Sequence, residues 1–251
     1  MNKPTLTFYQ ALQEAFDHFN TSLFDAALPP CLITLRSANR RYGYHHAQRF
    51  ISPQGKMIDE LGLNPGFFAL RPVESVLSTL VHEMVHHWQQ SFGKPTRSNA
   101  HNREWSEKMV SIGLIPSHTA LPGGRQTGRT MTHYILPGGP FITVCNRLVE
   151  SGFHLGWLDR HAATTPEKFE QEHRALVEAG IEMTFSPSPI SNLPEQLGEA
   201  PAVYRPEQRT APSRQRLICS GCGIKAWVEP GTEILCGACE IPLHGKEWLE
   251  K

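Results

Sequence analysis

The chain has 251 residues with 24 acidic and 24 basic side chains, so its formal net charge is zero. This length fits one medium-sized domain with a small additional module, and a hydrophobic content of 39% is enough to bury a core. No apolar run approaches the roughly 20 residues that cross a membrane, and the first ten residues lack the apolar segment of a secretory signal. We therefore expect an intracellular, cytoplasmic protein that has no membrane partner.

The zero net charge hides an uneven distribution. The stretch from Arg36 to Met57 has no carboxylate and interleaves basic with aromatic residues, whereas residues 159–199 are rich in acids. The basic stretch is typical of a nucleic-acid surface, but also of a solvated edge strand whose charge prevents pairing with other chains. We hypothesise that the acidic segment inhibits the basic half. The candidate nucleic-acid contacts are Arg36, Arg40, Arg41, Arg205, Arg209, Arg214 and Arg216.

The first predicted elements are a helix and three strands. Thr7 and Gln10 have the spacing of a capping box, and the helix that follows carries an apolar stripe of Phe8, Leu12, Phe16, Phe19 and Leu23. Residues 32–35, 42–51 and 56–63 have the composition of strands. Together these strands predict a small antiparallel sheet ahead of the next helix.

That next helix contains the H-E-x-x-H motif His82-Glu83-Met84-Val85-His86. The apolar residues around it recur at helical spacing, which predicts a buried helix, and positions four apart lie on one helix face. His82 and His86 can therefore offer two imidazoles to one metal ion, with Glu83 beside them as a general base. A catalytic zinc ion has three protein ligands and keeps one position open.

The third ligand must come from another element. Metzincins place a glycine and a histidine soon after the second histidine, but this chain has glutamines there. A second predicted helix, capped by Ser98 or Asn99, carries two candidates on one face, His101 and Glu104. His101 would give a three-histidine site, and Glu104 would give the two-histidine, one-glutamate site of thermolysin-like enzymes.

Residues 116–185 are predicted to form an accessory α/β segment. It has a loop rich in glycine and proline, strands at residues 132–136 and 153–158, and helices at residues 140–152 and 166–179. His133 and Tyr134 in its first strand are candidate donors for the oxyanion of a tetrahedral intermediate. The alternative is that His133 satisfies local hydrogen bonds and Tyr134 fills core.

A proline-rich linker is predicted for residues 186–215, followed by a small module at residues 216–251. The module contains two C-x-x-C pairs separated by 13 residues, formed by Cys219, Cys222, Cys236 and Cys239. This spacing is typical of a zinc ribbon, whose closed four-thiolate site is structural. Residues 224–228 and 234–235 are expected to pair as a hairpin, and zinc should hold so small a module folded.

The string LVHEMVHHW, followed by a polar loop and HNREWSEKM, resembles the SprT-like family of zinc metallopeptidases, which includes a protease that removes proteins crosslinked to DNA. The segment with Phe19, Asn20, Phe24, Leu28 and Pro29 is similar to the opening of these domains. The resemblance implies a zincin-like α+β metallopeptidase domain over residues 5–115, with His101 as the third zinc ligand. A C-terminal zinc module is frequent in this family and is thought to contact DNA in several members.

These observations lead us to expect a zinc metalloendopeptidase with two Zn2+ ions, one catalytic and one structural. The expected partners are protein substrates, including DNA-associated or DNA-crosslinked proteins, and single-stranded or damaged DNA. The alternative is a zinc-containing nucleic-acid-binding or regulatory protein without hydrolase activity. Glu83 argues against it, because a purely structural site does not need a general base. A third interpretation is a hydrolase that acts on a non-peptide amide.

Overall fold

The computed structural model describes residues 3–37, 41–96, 100–163, 166–189 and 214–245. The chain divides into two compact units, Met1–Arg205 and Pro206–Lys251. The change between the units falls within residues 190–213, so most of the predicted linker lies outside the described residues. No described helix is long and apolar enough to cross a membrane.

The first unit begins with helix α1 (Pro4–Leu23), which starts earlier than predicted. Pro4 lies in its first turn, where a missing backbone N–H has no cost. Thr7 is therefore inside the helix, and its hydroxyl donates back to the carbonyls of Lys3 and Pro4, so the predicted capping box is wrong. The predicted apolar stripe is confirmed up to Phe19, because its side chains are buried against the core.

Three strands follow: β1 (Leu32–Leu35), β2 (Gly43–Ile51) and β3 (Met57–Leu63). Their order is β1-β3-β2, so β3 inserts between the two strands that precede it. As a result β3 is antiparallel to β2 but parallel to β1, and the predicted purely antiparallel sheet is wrong for one pair. Strand β2 lies at an edge, and a bulge between His46 and Phe50 interrupts its register.

Helix α2 (Val73–Phe92) crosses the core and is buried along most of its length. Helix α3 (Arg103–Ser111) begins after Asn102, whose side chain accepts a hydrogen bond from the backbone N–H of Trp105. His101 therefore precedes α3, and the prediction that it shares a helix face with Glu104 is wrong. The predicted caps Ser98 and Asn99 lie outside the described residues.

The core continues beyond residue 115. Strands β4 (Leu114–Ser117) and β5 (Thr132–Ile135) pair antiparallel, and helix α4 (Pro140–Glu150) packs against α1, where Phe141 stacks on Phe19 with ring centroids 5.6 Å apart. Helix α5 (Pro166–Glu178) follows as predicted, but residues 153–158 form no strand. Phe153 and Leu155 instead join the core that α1, α2 and α4 share.

The second unit contains strands β6 (Gln215–Cys219), β7 (Lys225–Val228) and β8 (Leu243–His244), in the order β7-β6-β8. Its hairpin joins β6 to β7 through the first cysteine pair, so the predicted pairing of residues 224–228 with 234–235 is wrong. Its small core is built from Leu217 and Leu243 with two of the cysteines. The whole chain is thus a mixed α+β protein with small sheets.

Candidate metal centre and its cleft

Three histidines converge at the middle of α2. His82 and His86 lie one turn apart on that helix, and His101 approaches them from the segment before α3. One ring nitrogen from each lies within 4.8 Å of the others, which is close to the roughly 3.4 Å between nitrogens that share a tetrahedral metal ion. Burial lowers the pKa of all three, so each imidazole is neutral, as metal ligation requires.

His101 is held in place by a backbone bridge to Gly128. Each residue donates its backbone N–H to the other's carbonyl at 2.9 Å, and the Nδ1 atom of His101 donates to the same Gly128 oxygen at 3.1 Å. This hydrogen bond fixes the tautomer of His101, because a proton on Nδ1 leaves the lone pair of Nε2 free for a metal ion.

Glu104, the other candidate for the third ligand, is occupied elsewhere. Its Oε2 atom accepts hydrogen bonds of 2.7 Å from the side chain of Gln89 and from the backbone N–H of Lys94. These bonds lower the pKa of Glu104 and tie the end of α2 to the start of α3. The group that converges therefore contains His101 and not Glu104.

The indole of Trp105 forms a wall behind the three histidines. Its ring centroid lies 4.9 Å from that of His82, 5.2 Å from that of His86 and 4.3 Å from that of His101. Trp105 is fully buried, so it limits the rotamers that the three imidazoles can adopt. The packing of Trp105 therefore holds the three imidazoles close to one another.

Glu83 lies next to this group and is only 6% exposed. Burial raises the pKa of its carboxyl to about 8, against the opposing charge of Arg41, and a cation at the histidines would lower it again. Gly43 at the start of β2 covers Glu83 without a side chain of its own. The carboxylate therefore sits between α2 and the edge strand.

A cleft opens over the histidines and Glu83. Its walls are the segment 41–45 that enters β2, the face of α2 that carries His82, Glu83 and His86, and the segment 129–133 that leads into β5. None of its lining residues belongs to the described part of the acidic stretch, 159–163 and 166–189. An open cleft above a three-nitrogen site leaves room for a water molecule and a substrate.

The part of the chain that carries this site is similar to known proteins. The model of the SprT-like family matches residues 12–124, which include all three histidines and Glu83. An uncharacterized protein in the mucB 3′ region of Salmonella typhimurium is 47% identical over 62 residues, 24% of this chain and 84% of that relative. The chain belongs to the SprT-like family. No solved structure matches this SprT-like protein.

Of the two predicted oxyanion donors, only His133 reaches the cleft of this SprT-like protein. Both of its ring nitrogens already have partners: Nδ1 lies 3.1 Å from Nδ1 of His82, and Nε2 lies 3.0 Å from the hydroxyl of Ser78. Tyr134 is absent from the lining residues, because consecutive side chains of a strand point to opposite faces. These contacts favour the alternative that His133 satisfies hydrogen bonds within the protein.

Asp59 joins His45 and His87 in a network that sequence reasoning missed. Its Oδ2 atom lies 2.8 Å from Nε2 of His45 and 2.7 Å from Nδ1 of His87, and its Oδ1 atom accepts the backbone N–H of Gln48 at the bulge. Burial opposes ionisation of Asp59, but the hydrogen bonds from His45 and His87 outweigh it and hold its pKa well below the usual range.

The distances from Asp59 to His45 and His87 are those of ion pairs. The other nitrogen of His87, Nε2, lies 2.9 Å from the carbonyl of Pro29, so both ring nitrogens of His87 face oxygen acceptors. The distances to Asp59 are direct hydrogen bonds, shorter than the roughly 3.4 Å between ligands of one tetrahedral ion. His45 in turn stacks on His86 with ring centroids 6.2 Å apart, which links the network to the cleft.

The predicted nucleic-acid contacts fall in different places. Arg41 lies at the cleft and Arg36 is exposed at the end of β1, whereas Arg214 and Arg216 belong to the second unit. Arg40, Arg205 and Arg209 lie outside the described residues.

The four cysteines of the second unit also converge. Their sulfur atoms lie within 4.8 Å of one another, and Sγ of Cys222 is 3.5 Å from Sγ of Cys236. That distance is near the roughly 3.8 Å expected for two thiolates on a tetrahedral zinc ion, and far above the S–S bond length of about 2.05 Å. All four are free cysteines. This cluster and the three histidines are therefore two separate groups that could hold a metal ion, and a third group of potential ligands among the described residues is the hydrogen-bonded network of His45, Asp59 and His87.

Proposed function

We propose that this protein is a zinc-dependent metallopeptidase with a zincin-like catalytic domain. The observation that carries the proposal is the meeting of His82, His86 and His101 with the buried carboxylate of Glu83 in an open cleft. Membership of the SprT-like family, which is associated with a metallopeptidase-like fold, supports it. The three histidines would hold the ion through neutral imidazoles, and the cleft leaves its remaining position accessible.

Zinc, when bound, would supply a Lewis acid that lowers the pKa of water to about 7 and polarises the scissile carbonyl. Glu83 would accept a proton on its carboxylate as the water oxygen bonds to the carbonyl carbon. It would then donate that proton to the amide nitrogen as the carbon–nitrogen bond breaks. The closed wall of Trp105 and the strand at Gly43 would keep Glu83 and the histidines in place during both steps.

The edge strand β2 supports a peptide as the substrate. One side of β2 pairs with β3, and residues 41–45 at its start line the cleft. An extended chain that pairs with the free edge of β2 would lie across the histidines with its carbonyls near Glu83. This mode of binding depends on backbone hydrogen bonds, so it would accept many sequences.

The second unit supports recruitment of substrates on DNA. Trp227 is 64% exposed on β7, on the same face as Lys225 and opposite Arg216 on β6. An exposed indole between cationic side chains is suited to stacking on an unpaired base while the cations meet phosphates. We propose that DNA-associated or DNA-crosslinked proteins are the substrates, and that zinc at the four cysteines stabilises this module.

The same surface favours the alternative of a nucleic-acid-binding protein that contains zinc but hydrolyses nothing. The two functions differ in what Glu83 does, because binding does not need a general base. Glu83→Gln keeps the size of the side chain and removes its ability to take a proton.

The deciding experiment measures cleavage of a denatured protein, and of the chain itself, by the wild type and by Glu83→Gln, with and without single-stranded DNA. Zinc is counted in both preparations by elemental analysis. We expect two zinc ions in each protein, with cleavage by the wild type only. Two zinc ions without cleavage in any mixture would overturn the peptidase and favour the binding protein.

A further inference from the structure

A chain of hydrogen bonds runs from His82 through His133 to Ser78. Nδ1 of His82 lies 3.1 Å from Nδ1 of His133, whose Nε2 lies 3.0 Å from the hydroxyl of Ser78. The hydroxyl of Ser78 lies 3.0 Å from the carbonyl of Ser75, one turn back along α2. His133 is on β5, so the chain connects two elements that are far apart in sequence.

The direction of donation along this chain decides which nitrogen of His82 carries a proton. A hydroxyl has one hydrogen. When Ser78 donates it to the carbonyl of Ser75, its oxygen accepts the Nε2–H of His133. Nδ1 of a neutral His133 is then an acceptor, and Nδ1 of His82 must be the donor. The lone pair of His82 Nε2 is thereby left free.

Donation in the opposite direction would place a proton on the nitrogen of His82 that should bind the metal ion. If Ser78 donated to His133, the proton of His133 would sit on Nδ1 and would point at Nδ1 of His82. The proton of His82 would then lie on Nε2, the nitrogen that a metal ion needs.

We propose that His133 is a positioning residue that sets the tautomer of His82 through Ser78, so that Nε2 of His82 is available to the metal ion. This inference rests on the proposed metallopeptidase function. His101 is held in the equivalent way by the carbonyl of Gly128. The segment from Gly128 to His133 therefore orients two of the three ligands, although it lies beyond residues 12–124, where the family match ends.

The test compares zinc affinities of full-length variants by competition with a chelator. His133→Asn keeps an acceptor near the position of Nδ1, whereas His133→Leu fills a similar volume without one. Ser78→Ala removes the acceptor for His133, and Ser106→Ala removes another buried hydroxyl, one on α3, as a matched control. Zinc at the four cysteines is the internal reference in every sample.

We expect Ser78→Ala and His133→Leu to weaken zinc at the histidines about 10- to 100-fold, the usual effect of removing a partner of a metal ligand. His133→Asn should stay within about threefold of the wild type, and Ser106→Ala should match it. Equal affinities for His133→Leu and the wild type would overturn the positioning role, as would wild-type affinity in Ser78→Ala. If the wild type itself held zinc only at the cysteines, the proposed function would fail instead.

Discussion

Gly43 approaches Glu83 so closely that a Cβ atom on residue 43 would lie 2.9 Å from the Oε1 atom of Glu83 and 3.0 Å from Cγ2 of Thr79. Only a residue without a side chain lets β2 pass over the carboxylate at this distance. The start of the edge strand and the carboxylate of Glu83 are therefore positioned by each other. This contact would set the position of a peptide paired with β2 relative to the carboxylate of Glu83.

Gly43→Ala should lower the rate of peptide hydrolysis while leaving both zinc ions bound. The added methyl group must displace the carboxylate of Glu83, and a shift of about 1 Å in a reacting group can cost about 100-fold in rate. The measurement is kcat for a peptide substrate together with zinc content. Gly156→Ala is the control, because a Cβ atom there meets nothing within 4 Å. Full activity in Gly43→Ala would contradict a reaction that depends on the position of Glu83.

The third ligand gives a second prediction, built on the different partners of His101 and Glu104. His101→Ala should reduce the zinc content from two ions to one, because it removes a ring nitrogen from the converging group. Glu104→Gln should keep both ions and lower the melting temperature, because it weakens the hydrogen bonds that join Gln89 and Lys94 to α3. Elemental analysis and thermal unfolding separate the two effects. Loss of one zinc ion in Glu104→Gln instead would make Glu104 the ligand.

The sequence predicted only the relative positions of site residues that are close together along the chain. His82, Glu83 and His86 could be placed relative to one another because helical spacing alone brings them to one face. His101 was assigned to the wrong element, since Asn102 caps α3 after it and the bridge to Gly128 spans 27 residues.

No sequence pattern near these residues indicates the hydrogen bonds that surround the site. The bond between His82 and His133 joins residues 51 positions apart, and that between Asp59 and His87 joins residues 28 apart. Both depend on which strands pair and in what register. The parallel pairing of β1 with β3 was missed for the same reason, because the composition of a strand does not indicate which strand it pairs with.

The ion pair at Asp59 predicts a stability that depends on pH. The folded-state pKa of Asp59 lies below its unfolded value of about 3.9. Its contribution to the free energy of unfolding is therefore fully present above about pH 5 and is lost as the pH falls through about 4 and below. Asp59→Asn should cost about 1.5 to 3 kcal/mol at neutral pH, because it removes the charged acceptor that His45 and His87 share.

Urea unfolding of the wild type and Asp59→Asn between about pH 3 and 7 measures this difference. Asp17→Asn, at an exposed position of α1, is the control and should change stability by less than about 0.5 kcal/mol. The difference between wild type and Asp59→Asn should narrow at the acid end. A constant difference across the range would mean that His87 is not paired with an ionised Asp59.

The four cysteines predict that the two compact units lose structure separately. Cys236 is buried in the small core of the second unit with Leu217 and Leu243, and those few apolar contacts cannot stabilise so short a segment without a metal ion. Cys236→Ser should therefore lower the zinc content by one ion and expose the backbone amides of β6 and β7 to rapid hydrogen exchange. The amides of α1, α2 and α4, which share the core of the first unit, should keep their protection.

Cys31→Ser is the matched control, since Cys31 is outside the cysteine cluster and its loss should leave both zinc ions bound. Persistent protection of β6 and β7 in Cys236→Ser would show that the hairpin folds without zinc.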